Sequence, residues 1–114
     1  MIRFIANGRH AVCVLPACEK LTTGSVGMPV EFSFSEEWDG LSRIAVFRGS
    51  EQELDVPLTS DRCLVPPEVL SVPGDVLSIG VYGCDGGGDT VIPTVYAEVG
   101  RILRGAEPDR KSVV

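Results

Sequence analysis

Glycine and proline break this chain into short pieces. There are 13 Gly and 8 Pro among 114 residues. Both residue types punctuate turns, so the chain is expected to hold many short elements rather than a few long helices. At this length it is one ordinary domain, large enough to bury a core without staples. Hydrophobic residues make up 44% and charged residues 23% of the chain. Mean hydropathy is +0.19. These values place it outside the disordered class.

The pieces alternate with a period of two. Val26, Met28, Val30, Phe32 and Phe34 share one face of a long run, with Gly27, Pro29, Glu31 and Ser33 on the other, which is the pattern of a half-buried strand. Pro29 implies that this strand lies at an edge or carries an irregularity. Asn7-Gly8 sits between apolar runs at Ile2–Ala6 and Arg9–Leu15 and predicts a type I′ hairpin turn. Further strands are expected at Ser42–Arg48, Glu53–Leu58, Arg62–Val65 and Val76–Tyr82. Thr90–Ala97 and Glu98–Leu103 finish the strands, either as two or as one long strand bent near Pro93. Ser35 to Gly40 resembles an N-capped single helical turn closed by glycine, and Pro66 to Leu70 a second turn begun by proline. The reading is an all-β antiparallel sandwich of about eight short strands over residues 1–104. Residues 105–114 form a polar linker or tail.

Net charge is −6. From Glu31 to Asp61 the chain carries eight acids, namely Glu31, Glu36, Glu37, Asp39, Glu51, Glu53, Asp55 and Asp61, against Arg43 and Arg48; the rest is neutral. An acidic domain is a poor nucleic-acid binder. Glu31, Glu36, Glu37, Asp39, Glu51, Glu53 and Asp55 are therefore read as one face that either meets a basic partner or stays solvated. No apolar run approaches the ~18 residues of a membrane span, and no membrane partner is expected.

Candidate chemistries each meet a plainer reading. Glu36, Glu37 and Asp39 beside Trp38 are too close on one turn for the paired carboxylates of a glycosidase, so Trp38 is read as a plug on the core. The Asp85–Asp89 loop has two acids and no closing Glu, unlike a calcium loop. His10 is the only imidazole, with no local nucleophile or orienting acid. Cys13, Cys18, Cys63 and Cys84 include no C-x2-C pair, and free buried thiols are expected in place of zinc. Leu15-Pro16-Ala17-Cys18 has the order of a bacterial lipobox. The apolar stretch Ala11–Ala17 is only seven residues, and the hairpin reading competes with it, so a lipid-anchored or secreted form is not expected. No enzyme, cofactor or metal is expected. Phe32, Phe34, Trp38, Val46, Phe47 and Val81 are assigned to the core, and Gly40 and Gly83 to turns. Trp38, Tyr82 and Tyr96 would serve as a sugar platform in the alternative reading, a carbohydrate-binding or adhesion module of a gut bacterium.

A family pattern runs through the blocks Gly24-Ser25-Val26-Gly27, Phe32 to Leu41, Ala45 to Arg48, Cys63 to Leu70, Pro73-Gly74, Ile79 to Gly83 and Ile92 to Ala97. This order resembles a small N-terminal domain of tail, baseplate or head-fibre structural proteins in phages and prophages of gut Firmicutes. It spans residues 1–105. The resemblance implies a non-enzymatic β-sandwich that anchors or spaces parts of a virion, with other virion or tail proteins as partners. A homo-oligomer is among the arrangements it leaves open, although the chain carries no heptads. Relatives usually continue past this point through an acidic, Pro-rich linker, whereas this sequence has Arg110-Lys111 there. The family brings no catalytic residues.

Overall fold

The structure is a computed structural model that describes residues 1–16 and 19–105. The lipobox cysteine and the segment 106–114 lie outside the described residues. Eight strands form two four-stranded sheets, with no helix beyond two 3-10 turns among the described residues. The strands are β1 (Ile2–Asn7), β2 (His10–Val14), β3 (Pro29–Phe34), β4 (Ser42–Arg48), β5 (Glu53–Pro57), β6 (Arg62–Leu64), β7 (Val76–Cys84) and β8 (Thr90–Arg101). The first sheet has the order β2-β1-β3-β6, the second β5-β4-β7-β8. The 3-10 turns are Glu36–Trp38 and Pro67–Leu70.

Each sheet turns one alternating set of side chains inward. From the first come Ile2, Phe4, Ala6, Val30 and Phe32; from the second, Ala45, Phe47, Leu77, Ile79, Val81 and Ile92. Trp38, Leu70, Val65 and Ile102 close the ends of this cluster. Burying one such side chain stabilises the fold by roughly 1.5–3 kcal/mol.

Three expectations change on the structure. β3 is not an edge strand: it pairs with β1 on one side and β6 on the other. Pro29 is tolerated because it is the first residue of the strand, where a missing ladder N–H costs least. The alternation also stops short of Val26, which is 76% exposed, because Gly27 takes φ +73° and turns the backbone out of the strand. The β1–β3 pair is parallel, the one parallel pair in sheets that are otherwise antiparallel.

The hairpin tip is shifted by one residue from the sequence reading. Asn7 pairs with His10, so the two turn residues are Gly8 and Arg9. Only Gly8 has positive φ, +60°, which is the pattern of a type II′ turn. A true double-positive turn occurs instead at Ser60 (φ +54°) and Asp61 (φ +57°), between Thr59 and Arg62. Neither residue is glycine, and the left-handed region costs an L-residue roughly 1–2 kcal/mol. Asp61 is held there by its partners: its carboxylate accepts from Arg43 Nη1 at 2.8 Å and its carbonyl from the Phe32 N–H at 2.9 Å.

Gly40 sits at φ +77° and does close the turn after Trp38. Gly83 does not hold a turn. It lies inside β7, where a Cβ would stand 2.8 Å from Leu41 Cδ1 and 3.2 Å from the Trp38 ring. β8 is one strand, the second of the two expected arrangements, and carries three register irregularities against β7. One of them spans the step holding Pro93 and Thr94.

Two substitutions with opposite signs test this account in urea denaturation. Gly83→Ala is expected to destabilise by about 1–3 kcal/mol, the cost of overpacking against the indole. Ser60→Gly is expected to stabilise by roughly 0.5–1 kcal/mol, since it relieves a positive φ without touching the Asp61 bonds.

Candidate functional site

The two sheets present very different outer faces. On the first, β1 turns Arg3, Ile5 and Asn7 outward, β2 turns His10, Val12 and Val14, β3 turns Glu31 and Ser33, and β6 turns Arg62 and Leu64. Ile5 lies directly opposite Val12, and Val14 opposite Arg3. These side chains are 44%, 57% and 47% exposed for Ile5, Val12 and Val14. A groove of about 360 Å³ at one end of the face is lined by Met1, Val26, Met28 and Pro29, with Glu19 and Lys20 among its residues. Of the nine large apolar side chains exposed among the described residues, six lie on this face or in this groove. That concentration singles it out, because scattered exposed apolar residues need no explanation whereas contiguous ones mark contact surfaces. Across the face Glu31 accepts from Arg62 at 3.2 Å, with Arg3 on the far side of Glu31.

The second sheet's outer face is covered by its own side chains. Val46 is buried but belongs to this face, since Ala45 and Phe47 beside it point into the core. Tyr96 reaches across Gly80, where a Cβ would stand 2.6 Å from its ring. Arg48 stacks on the same ring at 4.0 Å. Tyr82 donates its hydroxyl to Asp55 at 3.1 Å. Burial and that bond push the Tyr82 phenol up from its ordinary value.

The seven acids assigned to one face do not share one. Glu31 is on the first sheet. Glu36, Glu37 and Asp39 surround the 3-10 turn before β4. Glu51 is in the turn after β4, at the strand's opposite end, and Glu53 and Asp55 lie along β5. The hydrogen-bonding phase explains the last two. Leu58 donates to Arg43 O and Gly49 to Gln52 O. In the alternating antiparallel ladder this leaves the peptide groups of Glu53, Asp55 and Pro57 facing away from β4. Two carboxylates and a proline on an open edge are the devices that keep sheets from pairing edge to edge.

Trp38 is fully buried. Its Nε1 donates to Gly8 O at 3.0 Å and its ring lies 5.1 Å from that of Phe34. The Ser35 hydroxyl makes no helix cap; it accepts the Gly8 N–H at 2.8 Å. His10 is exposed at the start of β2. Phe32 and Val81 are in the core cluster, and Phe34 packs half-buried against it. Two of the sheet edges are screened in other ways: β2 lies alongside β8, and β6 is only three residues long.

Asp75 fastens the turn after β4. Its carboxylate accepts from Ser50 N at 2.8 Å, from Ser50 Oγ at 3.0 Å and from Val76 N at 2.9 Å. The Ser50 backbone bond chiefly holds its carboxyl below the ordinary aspartate range. Among the described residues no group of three or more His, Cys, Asp or Glu is placed to hold a metal ion. No described helix is long and apolar enough to cross a membrane.

Sequence reasoning missed the apolar outer face. The signal was there: β2 is apolar at every position after His10, so whichever set faces the core, the other must face out. It also missed Arg43, which joins Asp61, the Trp38 carbonyl at 2.9 Å and the Phe34 ring at 4.4 Å. No family model, curated protein or solved structure matches the chain.

Cys13 and Cys63 point inward from β2 and β6, and burial pushes both thiols up to about 11. A raised thiol pKa means that the folded chain keeps protons the unfolded chain gives up. Stability is therefore expected to fall as pH rises from about 8.5 towards about 11. Alkylation of Cys13 and Cys63, followed by peptide mass, should track the unfolded fraction across a urea series.

Proposed function

We propose that this domain is a non-enzymatic structural module of a phage or prophage virion, in the tail, baseplate or fibre attachment, and that it works by protein–protein contact. The observation that carries the reading is the apolar outer face of the first sheet. A partner strand, sheet or loop covering Ile5, Val12, Val14 and Leu64 would remove aliphatic surface from water at roughly 25 cal/mol per Å². The family pattern in the sequence supplies the setting. On this reading the acids of β5 protect an edge, and the contact surface is the least acidic side of the domain.

The alternative, a carbohydrate-binding or adhesion module, draws less support. The Trp38 indole is packed in the core and the Tyr96 ring already carries Arg48, so neither offers a free face for a sugar.

Density-gradient fractionation of particles from an induced host tests the proposal. The wild-type chain is expected to travel with tailed particles. Val12→Glu, which places a charge in the strip without touching the core, should leave the particle fraction while melting at nearly the wild-type temperature. Particles of complete composition that lack the chain would refute the virion reading. Particles that retain Val12→Glu would refute the assignment of this face.

A further inference from the structure

Asn7 is the only asparagine in the chain and Gln52 the only glutamine. Asn7 precedes Gly8, whose missing side chain leaves its backbone nitrogen unobstructed. One intramolecular reaction is open to such a pair. The Gly8 nitrogen gives up its proton and attacks Asn7 Cγ. The N–Cγ bond forms, the Cγ–Nδ2 bond breaks, and ammonia departs with the proton, leaving a five-membered imide. Water then opens the ring at either carbonyl to give aspartate or isoaspartate. The sum is one water consumed and one ammonia released.

The native fold opposes every part of this step. The nucleophile is occupied, since the Gly8 N–H donates to Ser35 Oγ at 2.8 Å. The following carbonyl is pinned by Trp38 Nε1 at 3.0 Å. Asn7 itself is held extended by its pairing with His10. Yet the residue is exposed, so water can reach it. We propose that Asn7–Gly8 is a latent deamidation site, kept shut by the Ser35–Trp38 clamp and opened when the hairpin tip leaves it.

The reaction is one-way in its consequences. Isoaspartate routes the main chain through the side chain and adds a methylene between positions 7 and 8. The Gly8 N–H and C=O then no longer sit at the spacing that Ser35 and Trp38 require. A chain that stays open long enough to react loses the means of closing again.

Intact mass and peptide mapping of the full chain at mildly alkaline pH test this directly, because Asn7 is the sole asparagine. Wild type is compared with Ser35→Ala, with Trp38→Phe, and with Leu70→Ala as a destabilised control whose buried side chain lies elsewhere in the core. Rates are read at matched stability. Ser35→Ala is expected to react about fivefold to tenfold faster than Leu70→Ala, the factor that one hydrogen bond supplies. Trp38→Phe, which removes the bond to Gly8 O together with part of the buried ring, should also react faster than the control at matched stability. The deamidated wild-type chain should show Trp38 fluorescence open to a soluble quencher. The proposal is overturned if both variants react no faster than Leu70→Ala, if folded wild type reacts as fast as in urea, or if the isoaspartate form keeps Trp38 shielded.

Discussion

Much of this fold hangs on where one indole is held. Trp38 stands at the crossing between the sheets, on the short turn that carries the chain from β3 to β4. Its ring nitrogen holds the tip of the β1–β2 hairpin, its carbonyl accepts from Arg43, and its ring lies against the gap left by Gly83 in β7. Two elements distant in sequence, the β1–β2 tip and β7, are thus fixed by one side chain, while the backbone carbonyl of the same residue holds Arg43 of β4. Loss of a buried Trp typically costs about 3–5 kcal/mol, a large part of the 5–15 kcal/mol that holds a domain of this kind together. Arg43 reinforces the crossing from the other side. Its bond to Asp61 keeps a turn of two non-glycine residues in a conformation that neither would choose alone.

Side-chain alternation made most of the strands legible. Val30 and Phe32 show why: a period of two in apolar residues leaves a chain few alternatives once one face must be buried. The same pattern is silent on direction, which is why the parallel pairing of β1 with β3 could not be read from it. It is also silent about glycines used for space. Gly83 looks like a turn residue in sequence, but its role is set by a tryptophan 45 positions earlier. Val46 illustrates a third limit. It is apolar and buried, yet it lies on the outer face, paired with Gly80, over which the Tyr96 ring reaches from another strand. A contact of that kind depends on register, which no local pattern carries.

The acidic segment shows how far linear clustering can mislead. The chain from Glu31 to Asp61 crosses from one sheet to the other and back, so its carboxylates end in different places with different tasks. Glu31 meets Arg62, Asp61 meets Arg43, Asp55 meets Tyr82, and Glu53 stands on an edge whose peptide groups face outward. Exposed pairs such as Glu31–Arg62 add little stability. Edge protection falls instead to Glu53 and Asp55, which stand on the open side of β5.

This distribution bears on the proposed contact surface. Once the acids are drawn to the β5 edge, to the turns at both ends of β4 and to the loop after β7, the outer face of the first sheet is left with Arg3, Glu31 and Arg62 around its aliphatic strip. For a chain of net charge −6, approach of an acidic partner is opposed nearly everywhere by long-range repulsion, and least at this face. Apolar attraction is not directional by itself. Here the surrounding charge would give it direction, because among the described residues the aliphatic strip of the first sheet carries few acids.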